Sequence, residues 1–157
     1  MTFADWTYSG NGTGALNTSV KHTGNSSYLS SASPWANTSL THNTFLEPQA
    51  YVIFWARLNG LSTDNVKSRL NHSSYGYLTF QSTSMNTFEK FEGVFWYDAI
   101  NNIKFGRIYR WIGGVRVQYE SDINFGAGSP AAGSIALGHW ANRDDTKIYF
   151  DDVEVYS

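Results

Sequence analysis

The stretch Phe91–Glu120, FEGVFWYDAINNIKFGRIYRWIGGVRVQYE, constrains this chain most, because it reads as three consecutive strands joined by two short turns. Within Phe91–Asp98 aromatic and aliphatic residues fill nearly every position, the pattern of a strand covered on both faces. Ala99, Ile100, Asn101 and Asn102 supply the first turn, since Asn tolerates the left-handed backbone of a tight hairpin. Lys104–Trp111 follows, and Gly113-Gly114 closes a second hairpin, because paired glycines reach positive φ without a Cβ clash. Val115–Glu120 then alternates, with Val115, Val117 and Tyr119 on one side and Arg116, Gln118 and Glu120 on the other. The predicted unit is an antiparallel meander with one apolar face and one face of polar and aromatic groups.

The rest of the chain reads as further short strands. Thr2–Tyr8 alternates as an opening strand, and Ser9–Gly14 is a turn-rich loop. Ala15–Val20 and Ser27–Ser31 follow as strands, Ser33-Pro34 breaks the pattern, and Asn37–Phe45 resumes it up to a turn at Glu47-Pro48. Tyr51–Leu58, YVIFWARL, is the strongest central strand outside the meander. Its alternation sends Val52, Phe54, Ala56 and Leu58 toward a core and Tyr51, Ile53, Trp55 and Arg57 to the other face. Arg69–Asn71 and Tyr75–Gln81 make a further strand or pair, and Ser82–Asn86 is loop. Asn124–Gly133, rich in Gly, Ser, Ala and Pro, predicts a long loop. Ser134–Trp140, a polar turn over Asn142–Thr146, and Lys147–Tyr156 close the chain.

No segment keeps a 3.6-residue period over three turns, and aromatics make up 17% of the 157 residues, about twice the usual share. The polar remainder is Ser, Thr, Asn and Gly rather than the Lys and Glu of helix surfaces. Many short strands with frequent turns, no internal repeat and no linker predict one domain over residues 1–157. Its fold class is all-β, a two-sheet antiparallel β-sandwich or jelly roll. A formal net charge of -2 with 15% charged residues gives no basic footprint for nucleic acid. No apolar run reaches the roughly 18–20 residues of a membrane span. Met1 leads directly into strand-like sequence, so an export signal, if one is used, has been removed or belongs to a larger multidomain parent. With no cysteine, the redox compartment is not legible.

FADWTYSGNG near the start, KHTGNSSYLSS some twenty residues on, and IYFDDVEVYS at the end together resemble jelly-roll carbohydrate-binding modules. SIALGHW before the Asp-Asp strand is similar to the closing hairpin of concanavalin-A-like and laminin-G-like domains. The resemblance implies a structural Ca²⁺ at Asp5, at Gly24 or Asn25, and at Asp151, since calcium takes six to eight hard oxygens. The residues themselves offer another reading, in which Asp151-Asp152 is a β-bulge. Ile148 and Phe150 are even whereas Val153 and Val155 are odd, so the parity changes across the pair. Both readings stand at this point.

The resemblance also implies a ligand, a polysaccharide or glycan, bound on a sheet face by aromatic stacking and planar polar side chains. The face opposite the core offers Trp55 and Arg57, then Arg107, Tyr109 and Trp111, then Arg116 and Gln118 beside Glu120. Trp96 and Asp98 join them if Val94 faces outward. Arginine beside tryptophan suits this task, because the guanidinium both stacks and donates paired hydrogen bonds. Some of these aromatics also suit the core, and Arg57 and Arg107 also suit cross-strand pairs with Asp98 or Glu120.

Catalysis finds less support. Glu89 and Glu92 point to opposite faces of a strand and do not flank one glycosidic bond. Glu120 and Asp122 share parity without a separate activated partner. His22, His42, His72 and His139 show neither zinc spacing nor a Ser-His-Asp context. Asn11, Asn17, Asn25, Asn37 and Asn71 lie in N-x-[ST] contexts, which matter only in a glycosylated secreted protein. The expectation is therefore a non-catalytic carbohydrate-binding domain of an extracellular, cell-surface or virion-surface protein. The alternatives are a structural or adhesive surface domain of a virus, phage or cell, and a polysaccharide lyase or glycoside hydrolase on the same fold.

Overall fold

A computed structural model describes residues 6–10, 13–32, 37–42, 49–59, 66–82, 84–141 and 146–156. Among them run the strands β1 Trp6–Gly10, β2 Thr13–Asn17, β3 Ser27–Ala32, β4 Asn37–His42, β5 Ala50–Asn59, β6 Val66–His72 and β7 Gly76–Phe80. They continue as β8 Phe88–Asp98, β9 Ile103–Ile112, β10 Val115–Gln118, β11 Ile123–Ala127, β12 Ile135–Ala141 and β13 Thr146–Tyr156. One sheet has the order β1-β4-β12-β6-β7, and the other β10-β9-β8-β5-β13-β3-β2, with β11 also paired to β9. The chain is the two-sheet antiparallel sandwich that its strand pattern predicts. The expected breaks at Ser33-Pro34 and Glu47-Pro48, the turn at 142–145, and Asp5 lie outside the described residues.

The alternation of β5 sets the core. Val52 and Phe54 are 0% exposed, and Ala50, Ala56 and Leu58 are nearly so. The Phe54 ring packs at 5.0 Å from Phe80, 5.6 Å from Phe91 and 6.4 Å from Phe150, so three strands of one sheet and one of the other meet there. Burying each such side chain stabilises the fold by roughly 1.5–3 kcal/mol. Gly93, inward on β8, lets the sheets approach, since a Cβ there would lie 2.0 Å from the Leu70 side chain.

The meander forms in the expected order, but its expected apolar side is not sealed along β10, where Val115 and Val117 are 62% and 44% exposed at the edge of the larger sheet. Asp98 Oδ1 accepts from the Ile100 and Asn101 amides, Asn102 takes φ 56°, and Gly113 and Gly114 take φ 57° and 78°. The last strand carries the predicted bulge: pairing with β5 shifts between Asp151 and Glu154, and Asp152 has φ 47°. Two boundaries differ from expectation. β2 stops at Asn17, whose Oδ1 accepts from the Ser19 and Val20 amides and so turns the chain early. The predicted long loop at Asn124–Gly133 starts inside a strand, because β11 pairs with the free edge of β9 through Ile123–Gly106 and Asn124–Phe105. Its glycines hide an Ile-Asn-Phe alternation that the edge of β9 captures.

Candidate functional site

The outward residues of the larger sheet line up in rows across the strands. Trp96 stands beside Phe105, with ring centroids 5.5 Å apart and nearly parallel planes. The next row runs Tyr156, Tyr51, Val94, Arg107. The third runs Glu154, Ile53, Glu92, Tyr109, Gln118. The fourth joins Asp151, Trp55 and Lys90 on one side to Trp111 and Arg116 on the other, with the Lys90 ammonium 4.4 Å above the Trp111 ring. Val94 thus faces outward, the condition on which Trp96 joins this face.

Val94 is the small residue in a row of large ones. A depression of about 210 Å³ opens there, lined by Gln49, Ala50, Tyr51, Val94, Trp96 and Tyr156, with Phe95 behind. Across the strand pair from Val94 stands Arg107, which is held by several partners. Its Nε and Nη2 donate to Asp122 at 2.6 and 2.7 Å, its Nη1 donates to Tyr109 Oη at 2.8 Å, and Trp96 lies 5.3 Å from the guanidinium carbon. Gln118 Nε2 donates to Asp122 as well, at 2.9 Å. Arg116 stacks 4.5 Å over Tyr109.

Beneath these side chains sits Glu92, a carboxylate with only 3% exposure on the outward face of a strand. Tyr51 Oη donates to it at 2.5 Å, Trp111 Nε1 at 2.7 Å and Arg116 Nη1 at 3.4 Å, while Lys90 Nζ stands 3.8 Å away. Burial pushes this carboxyl up, but the three donated hydrogen bonds and the Lys90 charge outweigh it and hold it below the usual glutamate range. Burial, together with the hydrogen bond it gives Glu92, pushes the Tyr51 phenol up to about 12. Tyr51 is therefore a fixed donor near neutral pH, and Glu92 is the hub that orients two aromatic rings and two cations.

The structure brings Trp96, Arg107, Tyr109, Trp111, Arg116 and Gln118 of the expected residues onto one face, with Trp111 and Arg116 on Glu92, Arg107 against Trp96 and Tyr109, and Gln118 and Arg107 sharing Asp122. Three others have different surroundings. Asp98 is used within its own turn, by the Ile100 and Asn101 amides and by Asn101 Nδ2. Arg57 donates to Asn59 at 3.0 Å, three rows from the depression. Trp55 is covered by His22, whose ring lies 3.8 Å above it at an interplanar angle of 17°. The participants that sequence reasoning did not name for this face are Glu92, Lys90 and Asp122, while Tyr51 was placed on it by alternation without a role. The signal for Glu92 was present, a carboxylate at outward parity between Phe91 and the apolar run Val94–Tyr97. Asp122 arrives through the bend after β10, which spacing along the chain does not reveal.

His22 is held by the bulge of β13. Its amide and that of Thr23 donate to Asp151 Oδ2 at 2.8 and 3.3 Å, and the Asp152 amide donates to Asp151 Oδ1 at 2.9 Å. Asp152 accepts from Thr23 Oγ1 at 2.6 Å and pairs with His22 Nδ1 at 2.7 Å. Burial raises the Asp152 carboxyl, and these partners reverse the effect and leave it below its ordinary range. Asp151 is 0% exposed, and Gly24 and Asn25 are exposed on the same turn. The donors described around Asp151 are N–H groups rather than the oxygens of a calcium shell, and no cluster of three or more His, Cys, Asp or Glu suited to a metal occurs among the described residues.

No protein-family model matches the chain, and no curated protein matches it. Solved structures do. The chain is similar to the cellulose-induced protein Cip1 at 18% identity and a TM-score of 0.67, over 100% of this chain and 93% of that one. It is similar to TmCBM61, solved in complex with β-1,4-galactotriose, at 16% identity and a TM-score of 0.55, covering 98% and 89% of the two chains. The carbohydrate recognition domain of Emp46p, in a potassium-bound form, gives 7% identity and a TM-score of 0.55 over 98% and 89%. At such identities the likeness is one of architecture: this chain is a β-sandwich built like those of carbohydrate-binding modules and lectins.

Proposed function

We propose that this chain binds carbohydrate without catalysis, on the outward face of its larger sheet. The observation that carries the reading is the depression floored by Val94 and walled by the rings of Tyr51, Trp96 and Tyr156, with an arginine fixed in place on the neighbouring strand. A cavity of about 210 Å³ lies below the roughly 300–1,000 Å³ of sites that enclose a small ligand. It suits one ring of a glycan whose neighbours run on across the sheet. Trp96, Tyr51 and Tyr156 offer apolar planes to the C–H faces of that ring. Farther along the sheet Arg116 offers the guanidinium N–H groups not given to Glu92 to the hydroxyls of a neighbouring ring, and Gln118, whose Nε2 donates to Glu120 O and Asp122, offers its Oε1 as an acceptor. Because Glu92 and Asp122 already hold these groups in place, little side-chain freedom is lost when a glycan arrives. The same commitments support binding rather than chemistry: each carboxylate beside the depression is already paired, and Tyr51 keeps its proton.

Such a module works outside the cell or on a surface, where polysaccharides are met. A structural calcium is a separate proposal that rests on the resemblance alone. It would be held by Asp151 with Asp5 and the Gly24–Asn25 turn, and would tie the turn to the last strand. A melting temperature that EDTA lowers and Ca²⁺ restores supports it; one indifferent to both removes it. For the binding face, a panel of soluble β-linked oligosaccharides is titrated against the wild type, Trp96→Ala and Arg116→Ala. At least a tenfold loss of affinity is expected in each variant. Unchanged binding by both folded variants overturns the proposed face.

A further inference from the structure

A second concavity lies away from this face, at the edge of the smaller sheet. After β10 the chain bends back through Glu120 and Ile123 so that β11 packs beside β7. Phe125 fixes that arrangement, with its ring 6.1 Å from Phe95 and 6.3 Å from Tyr75. Two glycines make its slot: a Cβ on Gly76 would lie 2.7 Å from the ring, and one on Gly106 2.6 Å from it. Between the two elements is a cavity of about 320 Å³ lined by Gly76, Tyr77, Thr79, Glu120, Ile123 and Phe125.

Its chemistry is that of a small amphipathic ligand. Leu78 and Phe80 are both 0% exposed, so Tyr77 and Thr79, at the alternate positions of β7, face outward. Phe125 and Ile123 give an apolar lining, while Tyr77, Thr79 and Glu120 bring a phenol, a hydroxyl and a carboxylate. Tyr77 is 52% exposed, yet the Arg69 guanidinium stands 4.5 Å from its ring centre and steadies its plane. An aromatic plane held in place at the rim, beside oxygen acceptors and over apolar carbon, meets the alternating C–H and O–H surface of a sugar. The volume falls at the low end of small-ligand sites, enough for a single ring.

From this cavity we infer that the chain has a second carbohydrate site, taking one neutral sugar ring between β7 and β11. Glu120 as the charged group at the rim favours hydroxyl donors over anionic sugars. The site shares its ligand class with the proposed face and none of its residues. Two sites on one module give an insoluble polysaccharide two points of attachment, which raises retention without tightening either contact.

Amide NMR spectra of the wild type, Trp96→Ala, Tyr77→Ala and Glu120→Gln are recorded during titration with β-1,4-galactotriose, xylotriose and cellotriose. Two sets of shifts are expected with at least one sugar, one around Val94 and one around Thr79 and Ile123. Tyr77→Ala should abolish the second set and leave the first, and Trp96→Ala should do the reverse. Glu120→Gln, at an exposed position and with its amide spectrum checked for an unchanged fold, should weaken the second set at least threefold. Shifts confined to Val94 and its neighbours overturn the second site and leave the first standing. Shifts at Ile123 that persist unchanged in Tyr77→Ala and Glu120→Gln overturn it too. No shift at either place with any of the three sugars overturns both.

Discussion

Trp55 and Trp96 lie on the same face of the same sheet, on adjacent strands, and meet different fates. Trp96 lines an open depression with its plane backed by Phe105 and Arg107. Trp55 carries a histidine ring at stacking distance, so the surface a ligand would use is already occupied. The strand that bears each residue does not make the difference. It comes from a turn more than a hundred residues from the strand that holds it, clipped down by the bulge at Asp151-Asp152. Exposure of an aromatic on a sheet face is thus decided by what the loops lay over it.

The largest way to break the contrast is to release the clip. Asp151→Ala leaves three amides without their buried acceptor, and removing such a charged partner costs about 3 kcal/mol. A domain of this size then melts about 6–12 °C lower, read by calorimetry. Next comes the hub. Glu92→Gln keeps the shape and loses the charge that holds Arg116 and Lys90, for about 1–3 kcal/mol. Glycan affinity should fall about tenfold, an effect of about 1.4 kcal/mol, because Trp111 and Arg116 lose their common anchor. The depressed value of Glu92 in the fold also sets a pH dependence. Its contribution is fully present above the ordinary glutamate range and is lost as pH falls through the folded value. Acid should therefore destabilise the wild type more than Glu92→Gln, as urea titrations from pH 6 to pH 3 will report. A slope shared by both proteins would remove the hub from the explanation.

Smaller effects sharpen the same comparison. His22→Ala uncovers Trp55 at a cost of about 1 kcal/mol for the lost ring pair. Acrylamide should then quench tryptophan fluorescence more strongly, while glycan affinity stays within twofold of the wild type. Thr23→Val removes one exposed hydrogen bond to Asp152 and should change stability by about 0.5 kcal/mol, with no change in quenching.

The fold was legible because its signals are local. Alternation in Tyr51–Leu58, the Asn-Asn and Gly-Gly turns, and the parity break at Asp151-Asp152 each involve residues a few positions apart, whereas alternation in Val115–Gln118 marks a strand but not a buried side, because β10 lies at the sheet's edge. The candidate face was legible to the extent that parity decides it, which is why Trp96, Arg107, Tyr109, Trp111, Arg116 and Gln118 come together. What pattern does not carry is the long-range contact. His22 reaches Trp55 across the sheet, Asp122 closes on Arg107 after a bend, and β11 takes its pairing from a strand whose free edge only the finished topology exposes. Asp98 shows a further limit, since a carboxylate at a strand end serves its own turn before any ligand.

The indole N–H resonances of the six tryptophans give the most direct test, followed during titration with a glycan that binds. Trp96 and Trp111 are expected to shift with saturation while Trp55 stays in place under His22. Movement of Trp55 with Trp96 and Trp111 unmoved would contradict the assignment of the binding face.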